Sequence, residues 1–141
     1  MSNPILIESY RGKTLESFHR GAVCVVDEDG KNVFSIGDSQ QVCYPRSTMK
    51  LFQHLPFLQS KEFEQVNISS SQLAVMCGSH NGEIQHQKEA ESILKLAGLE
   101  VNQLQCGGQM PELVKDRIEL YKSGEKPNHL HNNCSGKHAG F

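Results

Sequence analysis

Short runs of β-branched and aromatic residues dominate the N-terminal part of the chain and predict strands. One run covers residues 5–10, a second covers residues 19–26 and a third covers Asn32–Ile36, and none carries a helix-capping pattern. Residues 27–30 separate the second run from the third. Because they end in Asp-Gly, which is typical of a tight turn between paired strands, the pattern predicts an antiparallel hairpin.

Apolar positions with helical spacing predict two helices in the middle of the chain. The first begins at Ser47, and we expect Pro56 to end or kink it because proline lacks the backbone N–H that a helix interior needs. Its apolar stripe consists of Met49, Leu51, Phe52 and Leu55. The second helix begins at one of the three serines at positions 69–71, which can act as N-cap, and ends near Gly78.

Two further helices are predicted, at about 83–97 and about 111–121. Gly98 closes the first of them; the second starts with a proline and is closed by a Ser-Gly pair at 123–124. The remaining segments are predicted to be loops. Strands followed by helices predict an α+β fold in which helices flank an antiparallel sheet, and the length of 141 residues fits a single domain over residues 1–141.

Composition and charge exclude several classes of partner. The formal net charge is −2 and the pI is near 6.4, so the sequence offers no basic surface for nucleic acid or anionic membranes. No secretion signal opens the chain, and no apolar run approaches the roughly 20 residues of a membrane span. Five well-separated cysteines predict free thiols and a cytoplasmic protein, with Cys24 and Cys77 as small buried hydrophobes.

Two short motifs carry serine chemistry. Ser47 and Lys50 form an S-x-x-K pattern at a helix start, where i, i+3 spacing puts hydroxyl and amine on one face. A desolvated lysine can act as the base that a serine nucleophile needs. Ser79 begins an S-x-N pattern, which accompanies S-x-x-K in penicillin-recognising serine enzymes. The alternative is structural: Ser47 is an N-cap, and Asn81 makes a turn.

A cluster of histidines with one cysteine lies between positions 129 and 138. Cys134 is surrounded by the kinds of ligand that zinc prefers, yet the spacing matches no standard zinc finger. The asparagines and Gly136 also suit a tight loop close to a ligand. From the residues alone, both interpretations stay open.

Taken together, four ordered blocks of the sequence resemble the asparaginase II family of the rhizobial type. The blocks are Tyr44-Pro45-Arg46-Ser47 with Lys50, Ser79-His80 with Gly82-Glu83, Cys106-Gly107, and the ten residues from His131 to Gly140. The resemblance implies a fold similar to serine β-lactamases and glutaminases. It also implies hydrolysis of L-asparagine to L-aspartate and ammonia, with L-asparagine as the small-molecule partner.

The resemblance further implies roles for individual residues. Ser47 is the implied nucleophile, Lys50 its base and Ser79 a member of the proton relay. Arg46 and His138 resemble substrate-binding positions, and the fork of an arginine suits a carboxylate. A zinc ion is the implied cofactor; its ligands would be Cys134, Lys137 and a second cysteine beyond the end of the sequence.

Two departures from the family pattern shape our expectations. Gln109 stands where the family usually has a histidine, and family members are roughly twice as long. We therefore expect residues 1–141 to be the N-terminal portion of a catalytic domain, with an active site that is incomplete by itself and a homodimer in the longer form. The alternatives are a related glutaminase or β-lactamase-like amidase, or a non-catalytic zinc-binding subunit.

Overall fold

The computed structural model describes residues 3–141 and divides them into two compact units, residues 3–44 and residues 45–141. The first contains two small antiparallel sheets, and the second contains six α-helices and three short 3₁₀ helices. The α+β class predicted from the sequence is confirmed. None of the helices within residues 3–141 has the length and apolar character needed to cross a bilayer.

Each sheet of the first unit is a two-stranded hairpin. The strands are β1 (Ile5–Arg11), β2 (Thr14–Arg20), β3 (Val23–Val26) and β4 (Asn32–Ile36); β1 pairs with β2, and β3 pairs with β4. The predicted hairpin between β3 and β4 is confirmed. Its turn is held by the Asp27 carboxylate, which accepts hydrogen bonds from the backbone N–H groups of Asp29 and Lys31.

The prediction of one strand over residues 19–26 is wrong, because the chain leaves one sheet and enters the other at Gly21. The Gly21 N–H donates to the Pro4 carbonyl (3.2 Å) instead of continuing the β2 ladder. A Cβ at this position would lie 2.9 Å from Leu6 Cδ1, so a glycine fits the close approach. The sequence pattern also missed the first five residues of β2, which begins at Thr14 rather than near His19.

All residues of the four strands are exposed in this structure. Cys24, expected to be buried, is therefore exposed, because none of the residues of the two-stranded sheet that contains it is buried. The prediction of free thiols is confirmed for all five cysteines, and Cys77 is half-buried. Residues 37–45 connect the units without regular structure, and Val42 and Tyr44 are almost fully exposed there.

The second unit begins with a 3₁₀ helix, Arg46–Met49, that leads directly into α1. The α-helices are α1 (Lys50–Leu58), α2 (Lys61–Gln65), α3 (Ser70–Cys77), α4 (Ile84–Leu96), α5 (Val114–Ser123) and α6 (Ser135–Ala139). The other 3₁₀ helices are Val101–Gln103 and His129–His131. The short helices α2 and α6 were expected to be loops, and α5 begins three residues later than its proline suggested.

Helix ends follow the chemistry of their flanking residues. Ser69 is the N-cap of α3: its hydroxyl accepts the Gln72 N–H, and the Gln72 side chain accepts the Ser69 N–H in return. Gly124 closes α5 with a φ of 72°, a left-handed conformation that glycine adopts without strain. Pro56 lies inside α1, which ends two residues later at Leu58.

The hydrophobic core lies within the second unit, where α3, α4 and α6 pack on one another. Its buried members include Val75, Met76, Ile93, Leu94, Leu104 and Leu130. Gly136 of α6 approaches α3 so closely that a Cβ there would overlap the Val75 side chain and carbonyl oxygen. This contact fixes α6 against the C-terminal end of α3, where the candidate site begins.

Candidate active site

Ser47 and Lys50 lie on either side of the junction between the first 3₁₀ helix and α1. Arg46, directly before Ser47, has a φ of 54°, and no other non-glycine residue between 3 and 141 has a positive φ. Such a conformation is strained for a residue with a side chain, and strain of this kind concentrates at functional sites. The turn that presents Ser47 is therefore an unusual one.

Ser79 links Ser47 to Lys50 through a chain of two hydrogen bonds. Lys50 Nζ donates to Ser79 Oγ at 2.8 Å, and Ser79 Oγ donates to Ser47 Oγ at 3.0 Å. Lys50 Nζ also donates to the Gly78 carbonyl at 2.7 Å. Within residues 3–141, no hydrogen bond joins Ser47 directly to Lys50. The structure thus brings together the three residues that the motifs singled out, with Ser79 in the middle.

The three side chains differ sharply in exposure. Lys50 is 3% exposed, whereas Ser47 and Ser79 are both exposed. Lys50 lies at the start of α1, and Ser79 follows the last residue of α3 and its C-cap Gly78, so packing of α1 on α3 encloses the amine. The arrangement leaves two hydroxyls accessible to a small molecule and shields the Lys50 amine from water.

Arg46 and His138, the predicted substrate-binding residues, lie in different elements of the second unit. Arg46 is exposed at the start of the 3₁₀ helix that carries Ser47. His138 is half-buried in α6. Burial lowers the pKa of His138, and the positive charges of Lys137 and Lys50 lower it further. A neutral imidazole at this position can both donate and accept a hydrogen bond.

Cys134 and Lys137, the predicted zinc ligands, lie three residues apart at the start of α6. Lys137 Nζ lies 5.4 Å from the centre of the Phe141 ring. A thiolate is a common zinc ligand, whereas a lysine amine can ligate a metal only after it has lost its proton. Among residues 3–141, no group of three or more histidine, cysteine or acidic side chains could hold a metal ion.

Cys106 and Cys134 are linked through the Asn132 side chain, which hydrogen-bonds to the backbone of both. The Asn132 amide donates to the Cys106 carbonyl (2.8 Å), and its oxygen accepts the Cys134 N–H (2.9 Å). Burial raises the pKa of the Cys106 thiol, a backbone hydrogen bond opposes the rise, and Cys134 adds to it. Gln109, the departure from the family pattern, accepts the Asn133 N–H at 3.2 Å through its side-chain oxygen.

A cavity of about 350 Å³ opens beside the relay. Ser79 lines it together with His80 and His86, whereas Ser47 and Lys50 do not. His80 connects this region to α6, because its ring hydrogen-bonds to Ser135. Sequence analysis gave no role to His80, Ser135 and Asn132. All three lie within the blocks that resemble the family, but no motif assigned them a role, since their partners lie 26 to 55 positions away in the chain or are backbone groups.

Comparison with known protein families gives a match over most of the chain. A family model described as L-asparaginase II matches residues 7–141, a range that includes every site residue discussed above. No curated protein matches the chain.

Proposed function

The chain belongs to the L-asparaginase II family, and on this premise we propose that it is an amidohydrolase that converts L-asparagine and water to L-aspartate and ammonia through Ser47. The observation that carries the proposal is the hydrogen-bonded chain from Ser47 through Ser79 to the buried Lys50. A serine hydroxyl is a weak nucleophile unless a nearby base takes its proton. In this proposal the base is Lys50, whose amine is two hydrogen bonds away from the Ser47 hydroxyl.

The proposed reaction requires Lys50 to give up a proton first, because only a neutral amine can accept one. Rotation of the two hydroxyls reverses the hydrogen bonds, so that Ser47 donates to Ser79 and Ser79 donates to Lys50. As Ser47 Oγ bonds to the side-chain amide carbon of the substrate, its proton passes to Ser79 and the Ser79 proton passes to Lys50. The C–N bond then breaks, and the proton held on Lys50 returns through the relay to the leaving nitrogen, which departs as ammonia.

The second half of the proposed reaction releases the product. Water attacks the ester carbon on Ser47, and the same relay accepts a proton from that water. Cleavage of the ester bond then frees L-aspartate, and the relay returns the proton to Ser47 Oγ, which restores the hydroxyl. Because Ser47 and Ser79 are exposed while Lys50 is buried, both substrate and water can reach the hydroxyls without contacting the base.

Two more residues are proposed to bind the substrate. The guanidinium of Arg46 can hold the substrate α-carboxylate with two parallel hydrogen bonds. His138, whose lowered pKa keeps the ring neutral near pH 7, can accept from the substrate ammonium group or donate to a carboxylate oxygen.

Cys134 and Lys137 are proposed to hold a zinc ion. When bound, the metal would supply a fixed positive centre that shapes the substrate pocket. Lys137 can ligate only as a neutral amine, so metal binding must release its proton. Binding should therefore weaken as the pH falls.

Ammonia release from L-asparagine, measured with Ser47→Ala and Lys50→Met, tests the proposal. We expect each change to reduce kcat by at least about 10³-fold, because each removes an end of the relay. Ser9→Ala and Lys61→Met are matched controls at exposed positions and should keep the activity of the unchanged protein. Undiminished ammonia release by either relay variant would contradict the mechanism.

Substrate comparison separates the proposal from its nearest alternatives. We expect the highest kcat/KM for L-asparagine. A higher value for L-glutamine, or faster turnover of a β-lactam reporter, would instead identify a glutaminase or a β-lactamase-like amidase that uses the same serine and lysine. Zinc binding without turnover of any of the three would favour the non-catalytic subunit.

We further propose a homodimer, which the family resemblance implies, and a cytoplasmic location, which the free thiols favour. Light scattering on purified protein tests the first, and a mass of one chain at micromolar concentration would contradict it. Fractionation of cells that produce the protein tests the second.

A further inference from the structure

His80 and Ser135 form a buried hydrogen-bonded pair beside the relay. The Ser135 hydroxyl donates its one proton to the Leu130 carbonyl (3.1 Å), so it accepts from His80 Nε2–H at 2.9 Å. The other ring nitrogen, Nδ1, accepts the Gly82 N–H at 3.1 Å. Both nitrogens of the His80 ring are therefore satisfied in one neutral tautomer.

Burial makes this pair costly to disrupt. His80 is 7% exposed and Ser135 is fully buried, and the His80 ring stacks on His86 with 5.1 Å between ring centres. Desolvation, together with His86 and Lys50, lowers the pKa of His80 to about 4, so the ring is neutral at pH 7. A buried donor or acceptor that loses its partner costs more than the net contribution of an ordinary hydrogen bond.

One backbone hydrogen bond also joins the segment of His80 to the segment of Ser135, and another lies within the segment of Ser135. The His80 backbone N–H donates to the Asn133 carbonyl at 3.1 Å, and the Ser135 N–H donates to the Asn132 carbonyl at 2.9 Å. His80 directly follows Ser79 of the relay, and Ser135 directly follows Cys134. One side-chain bond and one backbone bond thus span 53 to 55 positions of sequence and tie the relay serine to the start of α6.

We propose that His80 and Ser135 are positioning residues whose hydrogen bond fixes the Ser79 hydroxyl relative to the segment Cys134–Lys137. The inference rests on the proposed function, because it couples the proton relay to the proposed zinc-binding segment. Groups that orient ligands or reacting atoms without touching the substrate alter metal affinity and turnover by about 10- to 100-fold when they are removed.

Ser135→Ala is the smallest change that removes the bond. We expect kcat for L-asparagine to fall about tenfold with KM changed less than twofold, because the relay is displaced while substrate contacts remain. We also expect the zinc dissociation constant to rise about tenfold. Unchanged kcat and unchanged zinc dissociation in a folded Ser135→Ala protein would overturn the proposal.

Substitutions of His80 supply the conservative comparison. A glutamine amide can still donate to Ser135, so His80→Gln should retain several times the kcat of His80→Leu. His19→Leu, the same change at an exposed histidine of β2, is the matched control and should have no effect. Equal losses in His80→Gln and His80→Leu would show that the ring serves only to fill space, and would overturn the positioning role.

The double variant His80→Leu with Ser135→Ala tests whether the two residues act through one bond. We expect its kcat to equal that of the more impaired single variant, because the second change removes nothing further. A loss equal to the product of the two single losses would mean that the residues act independently, against the proposal.

Hydrogen exchange at the His80 backbone N–H separates this inference from the proposed function. If the unchanged protein releases no ammonia from L-asparagine, the proposed function fails. Hydrogen exchange at His80 still decides whether the bond to Ser135 ties the two segments together. Faster exchange at His80 in Ser135→Ala, without faster exchange in the core of α4, supports the tie between the segments. Unchanged exchange at His80 would overturn it.

Discussion

The proposed relay depends on the placement of one residue, Ser79, between a nucleophile and a base that do not touch. Ser79 hydrogen-bonds to Lys50 at 2.8 Å and to Ser47 at 3.0 Å, so in the proposed mechanism the proton leaves Ser47 through it. The S-x-x-K motif suggested a direct contact across one helical face. The residues instead lie in a 3₁₀ helix and an α-helix, and the contact passes through a third side chain.

Ser79→Ala should therefore reduce kcat by roughly 10²- to 10⁴-fold, the range for removal of a proton-transfer group, with little change in KM. Steady-state ammonia release measures this change. Ser9→Ala, at an exposed position of β1, serves as the reference. Activity within twofold of the unchanged protein would mean that Lys50 takes the proton from Ser47 directly.

Substitution of Arg46 tests a second single residue, the one proposed to bind the substrate α-carboxylate. Arg46→Lys keeps both the positive charge and the strained φ of 54° but removes the planar fork. We expect KM for L-asparagine to rise about tenfold while kcat changes less than twofold, because substrate binding and not the relay is affected. An unchanged KM would exclude Arg46 as the group that binds the α-carboxylate.

At the scale of elements, the close approach of α6 to α3 holds the second unit together. Gly136 allows this approach, because any side chain would meet both the side chain and the backbone of Val75. The backbone of an adjacent helix cannot move aside as a flexible side chain can. The packing also fixes Ser135 and the predicted zinc ligands of α6 relative to the end of α3.

Gly136→Ala should lower the free energy of unfolding by about 1–3 kcal/mol or more, as overpacking does in a closely packed core. Urea unfolding followed by circular dichroism measures the loss. Gly21→Ala is the matched comparison, since its new Cβ meets only the end of the Leu6 side chain, and it should cost less. The reverse order of the two losses would contradict this account of α6.

Local patterns predicted the elements that local chemistry determines. The capping serines at the start of α3, the glycines after α4 and α5, and the Asp-Gly turn of the β3–β4 hairpin all lie where the sequence placed them. The break at Gly21 was missed because the run 19–26 has strand-forming residues throughout, and only pairing with Pro4 divides it. The helix α6 was missed because its five residues show no apolar spacing.

The site residues likewise include some that a sequence motif identified and others that depend on tertiary packing. The S-x-x-K and S-x-N motifs identified Ser47, Lys50 and Ser79, and the structure brings these side chains together. The bond between His80 and Ser135 could not be predicted, because it depends on how closely α3 and α6 pack.

At the scale of the whole molecule, burial is uneven. The nine buried hydrophobic residues of the described chain all lie in the second unit, whereas every strand residue of the first unit is exposed. Three buried or half-buried histidines of the second unit, His80, His131 and His138, have lowered pKa values, each chiefly because of burial. Protonation of these rings therefore opposes folding.

Stability should accordingly fall in mild acid. The pKa of His80 is lowered from 6.5 to about 4 in the folded protein, so between these values the unfolded chain binds the extra proton. The stabilisation is complete above pH 6.5 and is lost as the pH falls toward 4. At pH 5 the loss should be about 2 kcal/mol at most for this residue.

Urea unfolding of the unchanged protein and of His80→Gln at pH 7 and pH 5 isolates the contribution of His80, because the other histidines titrate in both proteins. The difference in unfolding free energy between the two proteins should shrink as the pH is lowered. A difference that stays constant between pH 7 and pH 5 would show that His80 is not the group that titrates.

The exposed connection over residues 37–45 also determines how the chain will respond to limited proteolysis. Val42 is 95% exposed in a stretch without regular structure, which is the kind of segment that proteases cut first. Arg46, Ser47, Lys50, Ser79, Cys134, Lys137 and His138 all follow it. Digestion with an elastase-type enzyme should therefore yield a product that begins at Cys43 and carries every site residue on one polypeptide.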